Sequence, residues 1–154
     1  MLQEITRLLV NISLRKGKDD QVVKVFKTLF EGYTAKYSDF VYTFLGHFYS
    51  AIKKAKISEG LNHSLCDYLS LKAVPQMVGK SEKYCKVTET LLQLLYRLAK
   101  SSSKPLNEDF AQIQLHLLTS YPTNPSILSH ILKLLALQAT TYKSVLKIVE
   151  PMIA

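Results

Sequence analysis

Apolar residues recur along this chain at intervals of three and four, and the stripes restart on a schedule. A helix is predicted wherever a side-chain oxygen that can accept from orphan backbone N–H groups stands just ahead of such a stripe. Ser38 before Asp39, Ser81 before Glu82 and Asn124 before Pro125 are openings of this kind. Each has an acid or a proline in the first turn, where the helix dipole or the fixed φ suits it. Successive openings lie 43 residues apart. Superposed on these caps, Val41, Tyr84 and Ile127 coincide, as do Tyr42, Cys85 and Leu128. So do Phe48, Leu91 and Leu134; Tyr49, Leu92 and Leu135; and Ala51, Leu94 and Leu137. At 3.6 residues per turn these positions make a stripe wider than one seam, so the helices are expected to be covered on more than one side.

A second series alternates with the first. Asp19-Asp20 opens a helix expected to end at Gly32, Ser58-Glu59 one expected to end before Pro75, and Asn107-Glu108-Asp109 a third. Val22, Leu61 and Phe110 match at one offset; Leu29, Tyr68 and Leu117, then Phe30, Leu69 and Leu118, match further on. A fourth partner helix is expected from about Thr141 to Met152, with Val145, Leu146, Val149 and Met152 on one face. The pattern predicts one domain over 1–154, with helix pairs at about 1–32, 38–72, 81–120 and 124–154. The segment from Leu2 to Leu14 reads as the tail of a first helix. Ile148, Val149, Met152 and Ile153 read as an uncapped apolar exit, which suggests a piece of a longer array. The competing expectation is a complete small helical domain.

The 43-residue spacing and the paired helices resemble an armadillo or HEAT-type array, whose repeats run to about 40–47 residues. Asn124-Pro125-Ser126-Ile127-Leu128 followed by Ile131-Leu132-Lys133-Leu134-Leu135-Ala136-Leu137 carries the likeness best. The resemblance covers nearly the whole chain. It is one of pattern, since neither a recurring glycine between helices nor repeated Asp and Arg positions are present. It implies an all-α, right-handed superhelix of about seven to eight helices stacked as antiparallel pairs, with a surface for a partner peptide or helix. A compact eight-helix superhelix of the VHS, ENTH or polymerase-tail-binding kind is the alternative architecture.

One segment resists the helical reading. Nine of the fifteen aromatics fall between Phe26 and Tyr49, and Phe40 to Leu45 suits a strand by propensity. Val41, Leu45, Phe48 and Ile52 nevertheless form a helical stripe, and only Thr43 is polar where a half-buried strand would alternate, so helix is expected.

Composition narrows the class. Hydrophobic residues at 47% and charged residues at 21% fit a folded domain rather than a disordered one. The most apolar stretch, Ile131 to Ala139, is broken by Lys133 and Gln138 and is far short of the ~20 residues that span a bilayer. The N-terminus lacks the basic-then-apolar order of a secretory signal. Two cysteines, Cys66 and Cys85, read as reduced thiols, and the expected location is intracellular, cytoplasm or nucleus. Asn11-Ile12-Ser13 and Asn62-His63-Ser64 match a glycosylation pattern that has meaning only on the secretory route.

Signatures of chemistry are sparse. His63, Cys66 and Cys85 have ligand-like spacing without the second close pair that structural zinc needs. His47, His116 and His130 are scattered. No Gly-x-Ser-x-Gly elbow appears, and the five glycines never cluster into a phosphate cradle. Asp19-Asp20 and Glu108-Asp109 sit at helix starts, where the dipole accounts for them. Ser101-Ser102-Ser103 reads as a connector. No catalytic residue, metal or cofactor is assigned, and a non-enzymatic role is expected.

Charge points to an anionic partner. The net charge is +8, and seventeen of the twenty cations are lysine, which favours loose contact over bidentate base reading. The expected function is a protein-interaction scaffold that binds an acidic-hydrophobic peptide or helix through Tyr33, Tyr37, Tyr49, Lys53 and Lys54. The alternative is a basic nucleic-acid-binding module using Arg15, Lys16, Lys18, Lys53, Lys54, Lys56, Arg97 and Lys100.

Overall fold

The structure is a computed structural model that describes residues 4, 8, 19–33, 37–54, 57–78, 84–102, 104–121 and 123–153. Among these residues the fold is all-α, with seven α-helices and no strand. They are α1 (Asp19–Thr28), α2 (Ser38–Lys54), α3 (Glu59–Tyr68), α4 (Cys85–Ser101), α5 (Phe110–Ser120), α6 (Pro125–Ala139) and α7 (Lys143–Ile153). Of the expected leading helix only Glu4 and Leu8 are described, both helical. The Ser81 cap and the apolar exit at Met152 and Ile153 lie outside the described residues or side chains.

Two caps act as their residue types dictate. Asn124 Oδ1 accepts from the Ile127 N–H and Ser58 Oγ from the Leu61 N–H, each at 3.1 Å. Asn107 does not cap α5; its Oδ1 accepts from the Asp109 N–H at 2.9 Å in a local Asx turn, which delays the helix to Phe110. Both α1 and α3 widen after ten residues into a five-residue π turn, Leu29–Tyr33 and Leu69–Ala73. The expected stop before Pro75 is therefore passed: a 3₁₀ turn, Val74–Met77, follows with Pro75 near its start, where the missing N–H would have had no partner.

Alternate helices touch. α2 packs on α4 and α4 on α6, while α1 packs on α3, and the π and 3₁₀ turns after α3 pack on α5. Helices adjacent in sequence also meet, α3 with α4, α5 with α6 and α6 with α7. The short connections between α5 and α6 and between α6 and α7 favour antiparallel neighbours.

Burial follows the offsets within α2, α4 and α6. Phe48, Leu91 and Leu134 are fully buried, as are Leu45, Thr88 and Ile131 seven residues after each predicted cap. Leu92 and Leu135 are fully buried and Tyr49 packs on the core. In α1, α3 and α5, Val22, Leu61 and Phe110 are all buried. Phe26 anchors α1 on α2 by edge-on contacts to Phe44 and Phe48, with centroids 5.4 and 4.9 Å apart.

Two expectations about faces fail. Tyr42 and Leu128, predicted core, are 40% and 39% exposed, because the buried stripe runs through Val41 and Leu45 in α2 and through Ile127 and Ile131 in α6, which leaves Tyr42 and Leu128 on its rim. Leu146, placed on the buried face of α7, is 42% exposed. α7 packs on α6 alone among the helix pairs with extensive contact, and Val145 and Val149 suffice for that narrow seam.

Three buried polar positions replace apolar ones. Thr88 Oγ1 donates to Tyr121 Oη at 3.3 Å, and Tyr121 Oη donates to the Met77 carbonyl at 3.3 Å, tying α4 to the turns after α3 and α5. Gln114 Nε2 donates to Gln138 Oε1 at 2.7 Å, and Gln138 Nε2 to the Asn107 carbonyl at 2.9 Å. Ser144 Oγ donates to Glu108 Oε1, so α7 is fastened to the same turn that Gln138 holds.

Candidate partner-binding surface

Along α2 and α4, tyrosine and lysine four residues apart project on one side of a helix. Lys53 Nζ stands 4.3 Å from the centre of the Tyr49 ring, and Lys100 Nζ 5.9 Å from that of Tyr96. A third pair crosses between the helices, with Lys86 Nζ 6.0 Å from the centre of the Tyr42 ring. Tyr42 is exposed, Tyr49 and Tyr96 are half-buried, and the three lysines are exposed. Such contacts are worth about 0.5–1 kcal/mol at exposed sites, enough to hold an ammonium over an aromatic face without withdrawing it from solvent.

Among the described residues the cations are not neutralised by carboxylates. The ion pair formed among the described residues is His63 Nε2 to Asp67 Oδ2 at 3.3 Å. None of Lys24, Lys27, Lys53, Lys72, Lys86, Arg97, Lys100, Lys104, Lys133, Lys143 or Lys147 forms an ion pair with a described carboxylate, and all are exposed.

Of the residues expected to bind a partner, the structure brings Tyr49 and Lys53 together. Tyr37 is 55% exposed but sits at the opposite end of α2, about 24 Å from Lys53 at 1.5 Å per residue, so it belongs to a different part of the surface. The side chains of Tyr33 and Lys54 are outside the described set, as are Arg15, Lys16, Lys18 and Lys56. Arg97 and Lys100 are exposed near the C-terminal end of α4. Sequence reading missed Tyr42 and Tyr96 as partner-binding residues. The recurrence of tyrosine four residues before lysine in α2 and α4 was a signal for Tyr96, whereas the Tyr42–Lys86 pair needed the packing of the two helices.

Titrating groups with shifted behaviour lie in the core or at its margin. Burial pushes the Cys66 thiol up to about 12, with Asp67 and Glu59 adding to the effect. Burial and then Glu31 push Tyr68 up to about 12, and its hydroxyl is buried with no hydrogen-bond partner among the described residues. Burial raises Tyr121 and lowers His130, the latter against the opposing influence of Glu89. No group of three His, Cys, Asp or Glu side chains converges as a metal site among the described residues. No helix among them is long and apolar enough to cross a membrane. The chain matches none of the family models, curated proteins or solved structures with which it was compared.

Proposed function

We propose that this chain is a protein-interaction scaffold of armadillo or HEAT type, acting inside the cell by binding rather than catalysis, on an acidic-hydrophobic peptide or helix. The observation that carries the reading is the set of tyrosine–lysine pairs on α2 and α4, aromatic faces with ammonium groups that no described carboxylate neutralises. Aromatic anchors supply contact area at small entropic cost, and the cations select an acidic neighbour. Alternate-helix packing and coincident burial 43 residues apart support the repeat architecture.

The test is affinity capture from cell extract with the wild type and with a Tyr49→Ala, Lys53→Ala, Lys86→Ala variant, partners being identified by mass spectrometry. Acidic proteins retained by the wild type and lost from the variant are expected. An identical set on both would sink the surface assignment.

The exposed, unpaired cations also favour a second reading, a nucleic-acid-binding module in which lysines contact phosphates. It predicts oligonucleotide binding that weakens steeply with salt, and absence of binding at low salt removes it.

A further inference from the structure

We propose that the cleft between the C-terminal ends of α4 and α6, closed by the turn after α4, receives an acidic side chain and an adjacent apolar side chain of a partner peptide. The proposal rests on the scaffold reading for its assumption that the partner is a protein segment.

The cleft has a volume of about 220 Å³. That is below the ~300–1,000 Å³ of sites for drug-sized molecules and suits one or two side chains. Apolar side chains form part of its floor, with Leu106 buried and Ala99 and Leu137 lining it among polar groups that make up rather more of the surface. Lys100 and Lys104, both exposed, stand at its rim, and none of the described residues lining it carries a carboxylate.

The side chains lining the cleft leave donors free. Helix C-termini usually present free carbonyls and attract cations. In this cleft three of those carbonyls are taken up. The Ala99 carbonyl accepts from the Ser102 N–H at 3.2 Å, and the Leu137 carbonyl from Thr140 Oγ1 at 2.7 Å. The Gln138 carbonyl accepts from the Thr141 and Tyr142 N–H groups at 3.0 and 2.9 Å, and its side chain is spent on Gln114 and Asn107. Ser102 Oγ accepts from the Lys104 N–H at 3.2 Å, which leaves its own O–H to donate outward. Two ammonium groups and the Ser102 hydroxyl therefore remain for a guest. A guest that offers acceptors and negative charge, with an apolar group to cover Leu106 and Leu137, is complementary. A carboxylate next to a leucine-like side chain meets both demands, whereas a phosphate chain leaves the apolar part of the floor uncovered.

The experiment follows backbone amide NMR signals of the intact chain during titration with the blocked hexapeptide Glu-Glu-Leu-Glu-Glu-Leu. Saturable shifts are expected at the amides of Ser102, Leu106 and Thr141. Binding is expected to weaken by about fivefold or more for the peptide with Gln in place of Glu, and for the Lys100→Gln, Lys104→Gln variant. Lys100→Arg with Lys104→Arg is expected to retain it. Both lysines are exposed, so an unchanged melting temperature checks that the variants fold. Equal affinity for the Gln peptide or for the Gln variant overturns the proposal, as does an absence of shifts at those three amides. Displacement of the peptide from these amides by oligothymidylate at about tenfold lower concentration gives the cleft to a phosphate chain and also overturns it. Shifts confined to the surroundings of Tyr49 and Lys53 overturn the cleft while leaving the scaffold reading standing.

Discussion

Gln114 and Gln138 occupy positions that the other units fill with carbon. Seven residues after the predicted opening at Asn107, Gln114 stands where α1 has Phe26 and α3 has Leu65 at the same offset from Asp19 and Ser58, all of them fully buried. Its Oε1 is buried without a partner among the described residues, so the pair is only partly satisfied. Removing Gln138 alone leaves both ends of the Gln114 amide unpaired. Gln138→Leu is thus expected to cost about 1–3 kcal/mol in urea unfolding, and Gln114→Leu with Gln138→Leu considerably less than the sum of the single changes. Additive costs in that cycle would mean the two amides do not act as a unit. Cys66 makes a second prediction at this scale. Its thiol is 4% exposed and donates to Asn62 Oδ1 at 3.3 Å. With its pKa raised from 9.0 to about 12, the folded state keeps a proton that the unfolded chain releases. That stability is intact below about pH 9 and falls as pH rises toward 12, at about 1.4 kcal/mol per pH unit. Cys66→Ala should flatten the alkaline limb of a stability–pH curve, and an unchanged limb would contradict this origin. Neither residue's role was legible in the sequence. Periodicity marks where a side chain is buried, and Gln114, Gln138 and Thr88 break the apolar alphabet by which it is recognised.

At the scale of the element, capping and spacing were legible where the cap residue acts locally. Asn124 and Ser58 bond their own helix within three residues, so sequence contains the whole interaction. Asn124→Ala is expected to cost about 1 kcal/mol, and Asp109→Ala much less, since Asp109 makes no side-chain cap bond. Equal losses would mean that the Asn124 bond is not what starts α6. Gly46 offers the opposite change. It lies inside α2 with nothing within 4 Å of an added Cβ, so Gly46→Ala should stabilise by about 0.5–1 kcal/mol in chemical unfolding. A loss instead would show that the space beside α2 is taken up. The π turns escaped sequence reading. A π turn adds a residue per turn without any residue type that demands it, and Leu29–Tyr33 and Leu69–Ala73 share no residue type that would announce one.

For the whole molecule, the all-helical class and the alternation of two helix series could be read from apolar spacing. The outer surface could not, because a helical stripe locates the core side but not which flank a neighbour covers. Tyr42 shows this: it was placed in the core, and it lies instead beside Lys86 of the adjoining helix. The excess of lysine over acidic residues has a consequence for the free protein. Like charges spread over a small domain repel one another, and that self-repulsion is relieved on unfolding. Ions that gather around the lysines should weaken it. The melting temperature of the isolated chain is expected to rise by a few degrees between about 20 and 300 mM sodium chloride, as the screening length shortens. A fold laced together by surface ion pairs would respond in the reverse direction. By mass action, any polyanion carried through purification would raise the melting temperature as well, so a chain stripped of such passengers should melt lowest of all.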